Sequence, residues 1–121
     1  MDITMMQRAA RQASDLMKAL SNENRLMILC QLADGEKSVG ELAALLELPQ
    51  PAVSQQLARM RNQGLVASRK NAQMVHYSLA GDAATRVIAV LYELYCAPAE
   101  AQAKTGELEA AGDAPGEGSL R

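Results

Sequence analysis

The chain has 121 residues, 49% of them hydrophobic, with a net charge of −2; that is enough for one folded domain with a single core and too little for a comfortable second one. No apolar run approaches the roughly 20 residues of a membrane span, and the N-terminus "MDITMMQRAARQ" lacks the long apolar segment of a secretory signal, so a soluble cytoplasmic protein with no membrane partner is expected. Three tyrosines are the only aromatics, so the core must be aliphatic, a mix that favours helices.

In chain order, Met5 to Leu20 places Met6, Ala9, Ala10, Ala13, Leu16, Met17 and Leu20 at three- and four-residue spacings, which predicts an amphipathic helix. Ser21 is a candidate cap for a second helix, "NENRLMILCQLAD", that ends at Gly35 and carries Leu26, Leu29, Cys30 and Ala33 on its apolar stripe, with Ile28 and Leu32 widening it. A third, short helix begins at Ser38, where "SVGE" is a capping box, and ends near Glu47. Pro51 suits the first position of a fourth helix and Gly64 the residue past its end, with Val53, Leu57 and Met60 facing inward. "LVASRK" and "QMVHYSL" read as a hairpin around "NA". Gly81 and Asp82 open a fifth helix with Val87, Ile88, Leu91, Leu94 and Tyr95 as its apolar face. Residues 1–97 are thus expected to form one mainly helical domain with a small β-hairpin, and 98–121 an acidic, disordered tail.

A short helix and a second helix separated by "LELPQ", followed by a two-stranded ribbon, make a winged helix-turn-helix. Charge agrees with that reading. Leu48 to Gly81 contains no Asp or Glu but holds Arg59, Arg61, Arg69 and Lys70, the footprint of a phosphate-binding surface, while five acids after Pro98 drag the whole-chain charge negative. At roughly 100° per residue, Gln55 and Asn62 lie opposite the inward stripe, flanked by Ser54 and Arg59. The candidate DNA-reading set is Gln50, Ser54, Gln55, Gln56, Arg59, Arg61 and Asn62 on the helix and Arg69, Lys70 and Asn71 near the wing tip. Gln pairs with adenine, Arg with guanine or phosphate, and Ser with either, so double-stranded DNA is the expected partner. Solvation alone explains many polar helix faces, but not an acid-free run over both a helix and a hairpin. The lone His76, in the second wing strand, reads as a surface residue before it reads as a phosphate contact or a proton-linked switch.

The stretches "ALSNENRLMILCQL", "SVGELAALLELPQPAVSQQLARMRNQGLV" and "VHYSLA" closely resemble the ArsR family of bacterial winged-helix repressors, over roughly Ser14 to Ala97. The resemblance implies a homodimer joined through its first and last helices, each recognition helix reading half of an inverted-repeat operator. It also allows the known inducer sites to be compared. The paired-cysteine motif of the arsenic and cadmium/lead class falls on "SVGEL", with Ser38 and Gly40 in place of thiolates, and the histidine of the zinc class is missing from Asp82 to Cys96. No metal and no cofactor is therefore expected. What remains is Cys30 and Cys96, 66 positions apart, each an ordinary small hydrophobe when taken alone. Their segments "ILCQL" and "LYELYC" resemble the persulfide-sensing branch of the family. The implied role is a dithiol that a persulfide or polysulfide inducer bridges, lifting repression. A repressor that forms a plain disulfide with peroxide is the alternative within this class, and a metal-responsive repressor a weaker one. From other classes, an oxidoreductase lacks a CxxC or cofactor loop, so no enzyme is expected, and the acidic tail leaves room for a module that recruits a partner protein.

Overall fold

The computed structural model describes residues 2–102. Helix α1 (Ile3–Leu20) starts where the Asp2 carboxylate accepts the Met5 backbone N–H at 2.8 Å. Helix α2 (Glu23–Ala33) is capped by Asn22, which accepts the Arg25 N–H at 3.0 Å, and not by Ser21 as expected. A two-residue strand β1 (Lys37–Ser38) leads into α3 (Val39–Leu46). The expected capping box closes there: Ser38 Oγ accepts the Glu41 N–H at 3.2 Å and Glu41 Oε1 accepts the Ser38 N–H at 2.8 Å. Helix α4 (Gln50–Asn62) follows a turn in which Glu47 adopts the left-handed conformation; Gln50 is its first residue and Pro51 its second. Strands β2 (Val66–Asn71) and β3 (Met74–Leu79) form the wing, turning at Ala72 and Gln73, one position beyond the expected "NA". Helix α5 (Asp82–Leu91) completes the order, which with its antiparallel wing is a winged helix-turn-helix.

The hydrophobic core is aliphatic. Ile28, Leu29 and Leu32 of α2 meet Leu42 of α3, Val53, Leu57 and Met60 of α4, Leu65 and Val66 at the wing root, and Ala84 and Ile88 of α5. The inward stripe of α4 is therefore the one its spacing predicts. On α2 the widened stripe is buried along one edge, with Ile28, Leu29 and Leu32 inside, while Cys30 is half-buried and Ala33, expected to face inward, is exposed. Helix α1 contributes mainly Leu20, and its Ile3, Met5, Met6 and Met17 stay exposed, as do Val90, Leu94 and Tyr95 at the other end of the chain. Where α4 ends and α5 begins, the backbones meet closely: Gly81, at φ +83°, leaves no room for a Cβ, which would lie 2.8 Å from the Gly64 carbonyl oxygen.

Three further findings depart from the sequence reading. The sheet has three strands, in the order β1-β3-β2, because Lys37 and Ser38 pair with Tyr77 and His76; two residues carry too little periodicity to be seen. The fifth helix widens into a π-helical turn over Tyr92–Cys96, where the Ala97 N–H reaches back to the Tyr92 carbonyl. Beyond that turn the chain remains helical over 97–102, so the boundary expected at Pro98 falls inside a helix. The Tyr92 hydroxyl donates to both oxygens of the Glu100 carboxylate, at 3.0 and 3.1 Å, bracing the π turn against these last turns. The remainder of the expected acidic tail, 103–121, lies outside the described residues. Among the described residues no helix is long and apolar enough to cross a membrane.

Candidate functional site

On α4, burying Val53, Leu57 and Met60 leaves Gln50, Ser54, Gln55, Arg59, Arg61 and Asn62 exposed on the outer face. Gln56 does not belong with them. It is half-buried, and its Oε1 is shielded with no hydrogen-bond partner among the described residues, which makes it part of the packing. Ala58, by contrast, lies exposed between Gln55 and Arg59; its place three residues after Gln55 was the available signal, and its methyl suits the methyl group of thymine.

The wing divides its two cations. Successive strand residues point to opposite faces, so Ser68 and Lys70 share one face of β2 and Arg69 takes the other. Arg61 of α4 reaches the first face, its Nη1 donating to Ser68 Oγ at 3.3 Å. Arg69 stands on a rung with His76 and Ser38, and its guanidinium makes a two-pronged ion pair with Glu36, just ahead of β1, at 2.7 and 2.8 Å. That contact holds the Glu36 carboxyl below its ordinary range and Arg69 above its own. The acid-free run of sequence thus acquires an acid in space, and Arg69 is not presented free to a phosphate. Lys70 and Asn71 remain exposed near the tip. His76 is not a simple surface residue: it is half-buried, and its Nδ1 is shielded without a partner among the described residues.

The two cysteines come together. Cys30 projects from α2 and Cys96 from the end of the π turn, both half-buried and not disulfide-linked, with their sulfurs at hydrogen-bond distance, 3.2 Å apart. The π turn makes this possible. In an uninterrupted α-helix, at roughly 100° per residue, Cys96 would sit about 140° round from Leu91; hydrogen bonds spanning five residues bring residue i+5 back near residue i. Leu91 and Cys96 accordingly line one cavity, about 450 Å³, open to solvent and walled by Leu26, Met27, Leu46 and Tyr95, with Glu23 and Gln31 as further lining residues. Burial first, then the hydrogen bond and charge of Cys96, push the Cys30 thiol from the ordinary 9.0 up to about 12. At neutral pH Cys30 keeps its proton. Among the described residues no three His, Cys, Asp or Glu side chains gather as a metal site would require.

Residues 22–68 match the family model described as "Bacterial regulatory protein, arsR family". A biofilm growth-associated repressor from Agrobacterium fabrum is 46% identical over 95 residues, which cover 78% of this chain and 81% of that protein. Among solved structures, reduced HlyU from Vibrio cholerae is 48% identical with a TM-score of 0.74, covering 78% of this chain and 99% of that one. The transcriptional repressor BigR from Xylella fastidiosa is 37% identical with a TM-score of 0.76, covering 80% and 96%.

Proposed function

Because this chain belongs to the ArsR family of bacterial regulatory proteins and is a winged-helix DNA-binding transcriptional regulator, we propose that it is a homodimeric repressor whose Cys30/Cys96 dithiol senses persulfides. It acts on operator DNA in the cytoplasm, reading an inverted repeat through Ser54, Gln55, Arg59 and Asn62 of each α4. The exposed apolar residues of α1 and of Val90, Leu94 and Tyr95 supply the surface on which two copies join. One winged helix touches few phosphates and bases, and two of them supply the affinity a specific site needs.

The observation that carries the sensing reading is the approach of the two sulfurs to 3.2 Å beside an apolar cavity. Because the Cys30 thiol is held protonated, the first attack falls to the Cys96 sulfur, whose proton passes to the leaving group. Cys96 attacks the outer sulfur of a persulfide R–S–S–H; that S–S bond breaks, R–S⁻ leaves with the electron pair, and Cys96 becomes Cys–S–S–H. Cys30 then attacks the Cys96 sulfur and closes a disulfide, or, after a second sulfur has been transferred, attacks the middle sulfur and closes a trisulfide. In either case hydrogen sulfide departs with the Cys30 proton, and the persulfide is the oxidant. The dithiol is consumed once per event, so the protein is a switch and not an enzyme.

Two contacts link the bridge to DNA. Leu46, the last residue of α3, shares the cavity wall with both cysteines, and α5 abuts the end of α4 where Gly81 meets Gly64. A coupling free energy of about 1–3 kcal/mol changes operator affinity by roughly 5- to 150-fold.

The decisive experiment treats the reduced protein separately with a persulfide donor and with hydrogen peroxide, then reads intact mass and operator affinity. A bridged mass, two hydrogens lighter for the disulfide or one sulfur heavier less two hydrogens for the trisulfide, with weakened binding, seen only with the persulfide, is the expected result. The second reading, a peroxide-responsive repressor, is favoured by the shortness of the gap: closing about 1.2 Å brings the sulfurs to disulfide length. Equal loss of DNA binding with both oxidants establishes that reading instead.

A further inference from the structure

We propose that Glu36 is a built-in substitute for phosphate that holds Arg69 off the DNA, so that Lys70 and not Arg69 is the wing's working cation. Four observations converge on this assignment. The pair is two-pronged, at 2.7 and 2.8 Å, the geometry with which a guanidinium otherwise grips a phosphate. Its position follows from strand register: Arg69 faces His76 and Ser38 across the sheet, and Glu36, two residues before Ser38, comes to the same face. That face is turned from the one Arg61 of the recognition helix touches at Ser68, which is the face Lys70 shares. Glu36 is the less exposed partner, its side chain 30% accessible against 57% for Arg69, so the acid is set into the surface and the cation folds down onto it.

The consequence is a wing with one phosphate contact fewer than its composition suggests. Each phosphate neutralised by a cation adds about 0.9 to the slope of log affinity against log salt. Binding to a mixed-sequence duplex measures these contacts without requiring the operator or the inducer, and it is independent of the sensing proposal.

The test compares the full-length wild type, Glu36→Gln, Arg69→Ala and the double variant by fluorescence anisotropy across a fourfold range of salt. Thermal melting checks that all four are folded. Glu36→Gln is expected to steepen the slope by about 0.9 per bound chain, an additional affinity loss of about 3.5-fold between 50 and 200 mM salt. Arg69→Ala is expected to match the wild type, and the double variant to return to it. An Arg69→Ala slope about 0.9 shallower than wild type overturns the proposal, because Arg69 then already rests on phosphate. So does an unchanged slope in Glu36→Gln. A steepening that survives in the double variant overturns it too, assigning the effect to the lost carboxylate's own charge.

Discussion

The Cys96 sulfur lies 3.2 Å from the Cys30 sulfur, although the two residues are 66 positions apart and belong to different helices. Both are half-buried, and the raised Cys30 thiol makes their roles unequal. With a persulfide donor at neutral pH, Cys30→Ser is expected to accumulate a persulfide on Cys96 that cannot close into a bridge. Cys96→Ser is expected to remain unmodified, and both variants to stay bound to operator. Intact-mass spectrometry and a gel shift on the same samples check this; normal release by both variants ends the dithiol reading.

The proton held by Cys30 also affects stability. Because its folded-state pKa lies above 9.0, the folded protein retains a proton that the unfolded chain gives up. That contribution is complete below about pH 9 and is lost as the pH rises toward about 12. Denaturant midpoints of the reduced protein should fall across this window, and Cys30→Ala should remove that part of the fall. A wild-type profile indistinguishable from that of Cys30→Ala contradicts the assignment.

The DNA face separates into base-reading and phosphate-holding parts. Gln55→Ala is expected to relax base preference at one operator position by about 1–3 kcal/mol while leaving the salt dependence unchanged. Lys70→Ala should weaken all sequences alike and flatten the salt slope by about 0.9 per bound chain. Competition between operator variants distinguishes the first effect, and salt titration the second.

Gly81 is fixed by its backbone and its neighbour together. Gly81→Ala places a methyl 2.8 Å from the Gly64 carbonyl oxygen at a φ of +83°, and is expected to cost about 1–3 kcal/mol. The lost stability is read by thermal melting. Because the substitution parts α5 from the end of α4, operator affinity measured well below the melting temperature should fall as well.

Much of the fold was legible in the sequence because it is locally determined. The Ser38/Glu41 box lies within four residues, and the burial of Val53, Leu57 and Met60 follows from helical spacing alone. The exposed face of α4 follows by subtraction, with Gln56 misplaced because it lies at the edge of the stripe, where a rotation of a few tens of degrees decides between packing and solvent. What was not legible depends on contacts distant in sequence or on backbone geometry without a residue signature. Strand β1 exists only because β3 is beside it. The hold of Glu36 on Arg69 spans 33 positions and reverses the inference from an acid-free run. Of the dithiol, the sequence supplied two segments and a resemblance; the distance came from the packing of α2 against a π turn that no pattern in "LYELYC" announces.

That π turn makes the angular phase of the last helix a variable. A relaxation of Tyr92–Cys96 to ordinary α geometry, with no residue removed, would rotate Cys96 by roughly 90° away from Cys30 and carry everything after it through the same angle. A covalent link at Cys96 forbids that rotation. Deleting one residue from the turn, by contrast, would let it become α-helical while keeping Cys96 in phase. Chain length within a single turn, as much as the presence of two thiols, therefore determines whether the dithiol exists, and a bridge between the sulfurs locks the rotational setting of the terminal segment on which a second copy would dock.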